Sequence, residues 1–512
     1  MQRNMKILYI APECKPYSKA GGLADVAGEL PPALKKESKK LKRNVDIEIV
    51  TPFYGCVDPK YVVKDKNPEK FSVQFDNKLE NFELHEANLG GVTVYLLKNS
   101  TYFEGEKYRN PFVNDESVPF LEDTRRFSFF SKALVEIIKE KKPDVVHVND
   151  WGLGYLFGWM KQQHMPQKRV LTVHNAAYQG NIGKENIKGW DIEKLLNAPD
   201  IGHLLEDPRT DWNSINPLRL GLELADVVHT VSPGYAKEMT QPDDPSKYFE
   251  GGKGLEQITK RLYDQKMLIG ILNGYNYKYE PTDSNFETTL EEKAETKNEL
   301  SRGFKNPKNL LIGFVGRAAY QKCGILAEKW DFDGTKENKT VLEHILDIPG
   351  VNFIALANGE QKYSNFMKNA GTVRYDGSAS YDEFLKKPVR ENYVYTHDNA
   401  VAPKIFLGSD LFFMPSIYEP CGITQLGAMS YATPPVVRKT GGLGDTVENG
   451  KTGFCFDGNT RSELFHSLFN SLHEAIDMYR SSPKKFRTLQ RNAFQQRFVW
   501  KNSAKEYLNK LY

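Results

Sequence analysis

The sequence predicts a doubly wound α/β fold that occurs twice along the chain. Short, nearly all-apolar runs recur, each followed by a small-residue loop and a helix-like pattern. That is the signature of parallel strands buried on both faces. The runs fall into two series, separated by a polar stretch. The chain has 512 residues, room for two large α/β domains or three smaller ones.

The first series begins at residues 6–11 (KILYIA) and continues at 45–52 (VDIEIVTP), 92–97 (VTVYLL) and 144–148 (DVVHV). Residues 169–173 (RVLTV) and 226–231 (DVVHTV) follow. Residues 268–272 (LIGIL) read as its last strand, ending in the turn signal Asn273-Gly274. The stretch 275–306 is polar, carries Pro281 and has few large aliphatics, so the domain boundary is placed there. The second series comprises 310–315 (LLIGFV), 351–356 (VNFIAL), 411–414 (LFFM) and 434–437 (PPVV). Residues 486–512 read as aromatic-rich amphipathic helices.

Bulk properties exclude several classes. Hydrophobic residues make up 40% and charged residues 26%, as in ordinary globular proteins. A net charge of +3, from 69 basic and 66 acidic residues, gives no reason to expect nucleic acid or a membrane as partner. The cysteines Cys14, Cys56, Cys323, Cys421 and Cys455 are odd in number and form no C-x-x-C pair. Neither a zinc site nor a disulfide framework is expected, and a reducing compartment fits better. The N-terminal apolar run is cut short by Pro12, Glu13 and Lys15, too soon for a secretory leader. No stretch approaches the ~20 apolar residues of a membrane span. A cytoplasmic protein is expected, or a plastid one for a plant-type source.

One internal echo is informative. Lys19-Ala-Gly-Gly-Leu-Ala-Asp25 recurs as Lys439-Thr-Gly-Gly-Leu-Gly-Asp445. Paired glycines at a strand-to-helix turn let backbone amides approach a ligand, and the helix N-terminus adds positive potential. A single Gly-Gly would be a tight turn. Two copies, Gly21-Gly22 and Gly441-Gly442, each with a flanking lysine and a following aspartate, favour a ligand. The simplest arrangement faces them across an interdomain cleft, where ligands usually bind.

Four further groups could carry chemistry. Arg317 and Lys322 follow the first strand of the second series, at the carboxyl end where two cations can clamp a diphosphate. Glu419-Pro-Cys-Gly-Ile-Thr-Gln425 follows the run at 411–414. Its glutamate either accepts hydrogen bonds from sugar hydroxyls or complements a helix dipole, and spacing alone leaves both open. His147-Val-Asn-Asp150-Trp151 and His174-Asn175 end two strands of the first series. Cys421 has no His or Asn beside it that would make it a nucleophile. P-loop, nucleophile-elbow and H-E-x-x-H patterns are missing. Asp243-Asp244 and Asp331-Phe-Asp333 lie in loop-like segments, so no metal is expected.

These motifs together resemble the glycogen and starch synthase family. The blocks are Lys19-x-Gly-Gly-Leu-Ala-Asp-Val26, His147–Trp151, Thr172-Val-His-Asn-x-x-Tyr-Gln-Gly180, Thr230-Val-Ser-Pro233 and Gly270-Ile-Leu-Asn-Gly274. Gly313-Phe-x-Gly-Arg-x-x-x-Gln-Lys322, residues 414–425 and residues 435–447 complete the set. They stand in the family's order and cover nearly the whole chain. The E-P-C-G block combined with K-x-G-G-L is highly specific.

The resemblance implies a GT-B fold, with two Rossmann-like doubly wound domains and an interdomain cleft. It implies domains at 1–275 (acceptor side) and 276–490 (nucleotide sugar), and a helix at 491–512 returning to the first. It implies cofactor-free, metal-independent, retaining transfer of glucose from ADP-glucose to the non-reducing end of an α-1,4-glucan. Carried over by position, Arg317 and Lys322 bind the diphosphate, and Lys19, Gly21 and Gly22, with Asp25 in the same motif, lie near the distal phosphate. Glu419 holds sugar hydroxyls, His174 contacts the donor glucose, and Asp150 lines the acceptor side. Thr440, Gly441 and Gly442 donate to phosphates. Asn273, Cys421, Gly422 and Thr424 fall within matched motifs and complete the substrate-binding set.

The chain departs from the pattern in places. Ala20 replaces a threonine, Asn149 the second histidine of H-x-H-D-W, Asn276 an aspartate and Cys323 a glycine. Arg219 stands where lysine is common, and residues 325–340 are longer and more polar than the usual helix. These bear on exact substrates more than on reaction class. The alternatives are a UDP-glucose-dependent transferase with another acceptor, a non-catalytic glucan-binding homologue, and a phosphorylase-like enzyme. A non-catalytic homologue would be expected to have lost Arg317, Lys322 or Glu419, and a phosphorylase would need a pyridoxal-phosphate lysine.

Overall fold

The computed structural model describes residues 4–63, 67–104, 121–209, 211–331, 339–370 and 391–512. The chain divides into two compact units. The first comprises Met1–Asp243, Gly251–Gly274 and Val499–Tyr512, and the second Asp244–Glu250 and Tyr275–Phe498.

The first unit is built on a nine-stranded sheet. Its strands are β1 (Met5–Ile10), β2 (Val45–Pro52), β3 (Glu69–Phe75), β4 (Lys78–Leu89), β5 (Val92–Lys98), β6 (Val145–Asn149) and β7 (Lys168–Val173). A two-stranded ribbon, β8 (Ile182–Gly183) with β9 (Ser214–Ile215), stands apart, and β10 (Val227–Thr230) and β11 (Leu268–Gly270) complete the sheet. The order is β11-β10-β7-β6-β1-β2-β5-β4-β3. Every pairing from β11 to β5 is parallel. All five residues of β6 (VVHVN) are buried, His147 and Asn149 included, as a central strand of a parallel sheet requires.

The sequence reading found the parallel strands and missed the antiparallel edge, where β3 pairs with β4 and β4 with β5. β4 (KLENFELHEANL) alternates charged and apolar residues and buries only part of its length. It lies next to the edge strand β3 with one face half exposed, so it lacks the continuous apolar run that marked the others.

The second unit carries an all-parallel sheet of β12 (Leu310–Ala318), β13 (Val351–Gly359), β14 (Tyr393–Thr396), β15 (Leu411–Met414), β16 (Pro435–Arg438) and β17 (Phe454–Phe456). Its order is β14-β13-β12-β15-β16-β17. The polar stretch after residue 275 contains a helix, Asp283–Ser301, whose N-cap Thr282 accepts from the Asn285 N–H. In the divergent 325–340 segment, residues 332–338, Asp333 among them, lie outside the described residues.

Strand order locates the sites. In the first sheet the winding reverses between β1 and β6, and in the second between β12 and β15. The loops leaving neighbouring strands there run to opposite sides and open a crevice at the carboxyl edge. Leaving β1 is the segment that carries Glu13 and Lys19, and leaving β6 is Asp150. Arg317 stands near the end of β12, and Glu419 follows β15.

The core of the first unit takes in the helix Trp500–Lys510, where Trp500, Tyr507 and Leu508 are buried, together with Leu511 just beyond. That helix lies on the helix Gly22–Lys40: the Trp500 indole donates to Glu29, and Arg43 donates to the Leu508 carbonyl. No helix among the described residues is long and apolar enough to cross a membrane.

Candidate active site

In the first unit the site starts at Glu13, which sequence reasoning did not single out. Glu13 is 4% exposed. Its carboxylate accepts from the backbone N–H groups of Ala20, Gly21 (3.1 Å) and Ala24 (3.2 Å). Burial pushes its pKa up to about 7, against the pull of those donors, and Asp25 adds repulsion. The expectation that the Gly21 amide faces a ligand is therefore corrected: that N–H is committed to Glu13. The Gly21-Gly22 turn is held from beneath by a buried carboxylate. Lys19, half exposed, is steadied by Asp25 at 2.6 Å, and Lys15 lies 3.4 Å from the same carboxylate.

At the end of β6 the backbone of Asp150 adopts φ 62°, a left-handed conformation that non-glycine residues rarely hold and that clusters at functional sites. Its carboxylate accepts from the His174 N–H at 2.7 Å and from the Asn175 N–H, tying the ends of β6 and β7 together. Burial raises its pKa to about 7, opposed by those two donors. The His174 imidazole meets the Asn149 Oδ1 at 3.0 Å, and burial lowers its pKa to about 3, so the ring is neutral.

His147 faces inward. Its Nδ1 meets the Tyr512 hydroxyl at 2.5 Å and its Nε2 the Thr172 hydroxyl at 2.7 Å. It joins a buried polar chain with His229 and Tyr507. Asn273 is 6% exposed and its Oδ1 has no hydrogen-bond partner among the described residues, a state that buried polar atoms seldom tolerate without a ligand or water.

In the second unit, Arg317, Lys322, Glu419 and Ser416 gather at the β12–β15 switch. Lys322 donates to the carboxylate of Glu419 and lies 3.3 Å from the Ser416 hydroxyl, which donates to the same carboxylate at 3.0 Å. The Lys322 and Glu419 side chains are 12% and 9% exposed. The helix-dipole reading of Glu419 fails here, because the next helix, Thr424–Ser430, begins five residues on. The Arg317 guanidinium donates to the Gln321 Oε1 at 3.0 Å, and Gln321 in turn donates to the Tyr418 carbonyl at 3.0 Å. Gln321 and Ser416 thus brace the two cations and the carboxylate. Neither was selected from sequence.

The remaining expected residues form the wall beside Glu419. Gly422 turns the chain at φ 73°. The Thr424 hydroxyl is engaged by the Met414 sulfur at 3.3 Å, and the Cys421 side chain is buried. Thr440 and Gly441 open the short helix Gly441–Thr446. Gly442 donates its N–H to the Glu419 carbonyl at 2.9 Å, so the expected phosphate donor is already used within the protein. A Cβ at Gly442 would stand 2.2 Å from the Cys421 carbonyl oxygen, a clash with backbone. Glycine is required because the helix start rests directly on the Glu419–Cys421 segment. Among the described residues no three His, Cys, Asp or Glu side chains converge as a metal site.

The starch synthase catalytic domain family model matches residues 6–261, and that of group 1 glycosyl transferases residues 385–487. The glycogen synthase of Exiguobacterium sibiricum is 33% identical, covering 98% of each chain. That of Caldicellulosiruptor bescii is 32% identical with the same coverage. The catalytic domain of starch synthase IV from Arabidopsis thaliana, solved with ADP and acarbose, superposes with a TM-score of 0.75 at 26% identity over 99% of both chains. Sucrose-phosphate synthase from Thermosynechococcus elongatus shares the fold, with a TM-score of 0.55 at 16% identity. Family models, full-length relatives and two parallel-sheet units converge: the chain belongs to the glycogen and starch synthase family, hexosyltransferases of the GT-B fold.

Proposed function

We propose that this protein transfers glucose from ADP-glucose to the non-reducing 4-hydroxyl of an α-1,4-glucan, with retention at the anomeric carbon and without a metal ion. The observation that carries the proposal is the Lys322–Glu419–Ser416 cluster with Arg317 at the β12–β15 switch. Departure of a nucleoside diphosphate builds negative charge on phosphate and positive charge on the sugar ring. Two fixed cations stabilise the first, and a carboxylate close by suits hydroxyls of the second. Lys322 exchanges its partner from Glu419 to the diphosphate when donor binds, which frees Glu419 to accept from the sugar.

The second unit is assigned to the nucleotide sugar and the first, with its C-terminal helix, to the acceptor. In the first unit His174 serves the donor glucose, Asp150 the acceptor side, Lys19 the distal phosphate, and the buried Asn273 oxygen a ligand hydroxyl. The adenine nucleotide is chosen because the starch synthase IV relative was solved with ADP. The protein is placed in the cytoplasm, which suits five free cysteines.

The test is to incubate the purified protein with glycogen, EDTA and either ADP-glucose or UDP-glucose, following nucleoside diphosphate release and glucan growth. New α-1,4 linkages with ADP release despite EDTA are expected. Preference for UDP-glucose would overturn the donor assignment, dependence on added metal the metal-free mechanism, and β-linked product the stereochemistry.

A further inference from the structure

Asn149 is fully buried behind the half-buried ring of His174. Three hydrogen bonds converge on its side chain. The amide nitrogen lies 2.9 Å from the carbonyl oxygen of Ile10. The amide oxygen lies 3.0 Å from the Tyr9 hydroxyl and 3.0 Å from His174 Nε2. A carbonyl oxygen only accepts, so the NH2 group must face Ile10 and the oxygen must face Tyr9 and His174. That oxygen can itself only accept. Tyr9 therefore donates its hydroxyl proton, and His174 must carry a proton on Nε2.

We propose that Asn149 is a positioning residue: it holds His174 in the Nε2–H tautomer, leaving Nδ1 as a hydrogen-bond acceptor for a hydroxyl of the donor sugar. The proposal rests on the assignment of His174 to the donor glucose made above. A neutral imidazole has one proton to place, and which nitrogen holds it decides whether the other can donate or accept. With Nε2 committed, Nδ1 discriminates for a group that offers a proton, as a sugar hydroxyl does. Tyr9 is a further part of the device. It is itself buried, and its ring packs edge-on to His147 at 4.8 Å, which fixes the hydroxyl over the Asn149 oxygen.

The neighbouring histidines obey the same directional logic. His229 Nε2 faces the Ile271 carbonyl at 3.3 Å and must donate there, so its Nδ1 accepts from the Thr172 or Tyr507 hydroxyl. Two ring protons behind the site are thus placed, one by a backbone carbonyl and one by an asparagine.

The experiment uses the full-length protein labelled with 15N-histidine, with long-range proton–nitrogen spectra at neutral pH. His174→Gln identifies the His174 signals by their loss. Expected is a protonated Nε2 and a bare Nδ1 in the parent protein, a mixture or reversal in Asn149→Leu, and restoration in Asn149→Asp, whose carboxyl still accepts from Nε2–H. Asn149→Leu should lower kcat/KM for the sugar nucleotide about tenfold while leaving KM for glycogen unchanged. A parent spectrum with the proton on Nδ1, or an Asn149→Leu spectrum identical to the parent, would overturn the proposal. So would an equal loss for donor and acceptor. Should Asn149→Leu fail to fold, the parent and Asn149→Asp spectra still decide the tautomer. The spectra need no turnover, so absence of transfer from either donor would count against the function and leave the tautomer readable.

Discussion

Lys322 and Glu419, both largely buried, neutralise each other at the carboxyl edge of the second sheet, with the Ser416 hydroxyl bonded to both. A buried pair is strongly destabilised by removing one partner, because the survivor's charge is left unpaired. Glu419→Gln and Lys322→Met should each lower unfolding free energy by about 1–3 kcal/mol, discounted for the partial exposure of both side chains. The double variant should recover most of that loss. Glucosyl transfer should fall at least ~100-fold in all three, since the diphosphate loses a fixed cation or the sugar its acceptor. Urea unfolding and ADP release measure the two effects separately. Stability losses that simply add would show that the two groups do not interact.

Glu13 gives a pH signature. Its folded-state pKa of about 7 lies above its ordinary 4.5. Its contribution to stability is therefore full below pH 4.5 and is lost as pH rises through 7. His147 and His174, held near 3 by burial, act oppositely: their contribution is present above pH 6.5 and is lost as pH falls towards 3. Comparing variant with parent isolates the carboxyl. Glu13→Gln should be less stable than the parent at pH 5, where it gives up one hydrogen bond, and should gain on it steadily to pH 8. Chemical denaturation at pH 5, 6, 7 and 8 reads this, and a pH-independent difference would refute it.

Gly442→Ala tests the contact between the short helix and the Glu419–Cys421 segment. The added methyl would meet the Cys421 carbonyl oxygen and Cα, so one of the two segments must shift. A displacement near 1 Å at a catalytic group can cost ~100-fold. The expected result is a loss in kcat of about 10–100-fold with secondary structure unchanged by circular dichroism. Full activity would show that the segment moves freely.

Tyr507→Phe and Tyr512→Phe remove hydroxyls bonded to His229 and His147. Tyr512→Phe should lower stability by about 1–3 kcal/mol, the cost of leaving a buried polar atom without its partner, and Tyr507→Phe by about 1 kcal/mol, because the Thr172 hydroxyl still reaches His229. The effect should appear as a lower thermal midpoint without a change in donor preference.

Much of the fold was legible because parallel strands buried on both faces are mostly apolar, as β15 (LFFM) is throughout and β6 (VVHVN) is but for His147 and Asn149. β3 and β4, at and next to the antiparallel edge, were not legible, since half-exposed strands carry charge. β17, three residues long, is too short to show a period. Within the site, Arg317, Lys322 and Glu419 stood out because ionic groups at strand ends need a reason to be there. Glu13 did not, because a single carboxylate two residues past an apolar run has no spacing to betray it. The sequence also could not tell that the N–H groups of Gly21 and Gly442 are spent on Glu13 and on the Glu419 carbonyl. Glycine pairs advertise available amides, but only the folded loop shows which partner has already taken them.

The first unit closes around residues that lie on the far side of the second in sequence. Trp500, Tyr507, Leu508 and Leu511 belong to its core, while residues 275–498 form a separate unit. A nascent chain therefore cannot finish the amino-terminal half first. That half must wait, with the faces later covered by the helix Trp500–Lys510 still open, while more than two hundred further residues leave the ribosome. The second half can complete its own sheet in the meantime. Synthesis order and folding order are inverted here, and the open side of the helix Gly22–Lys40 is the surface a chaperone would find during that interval.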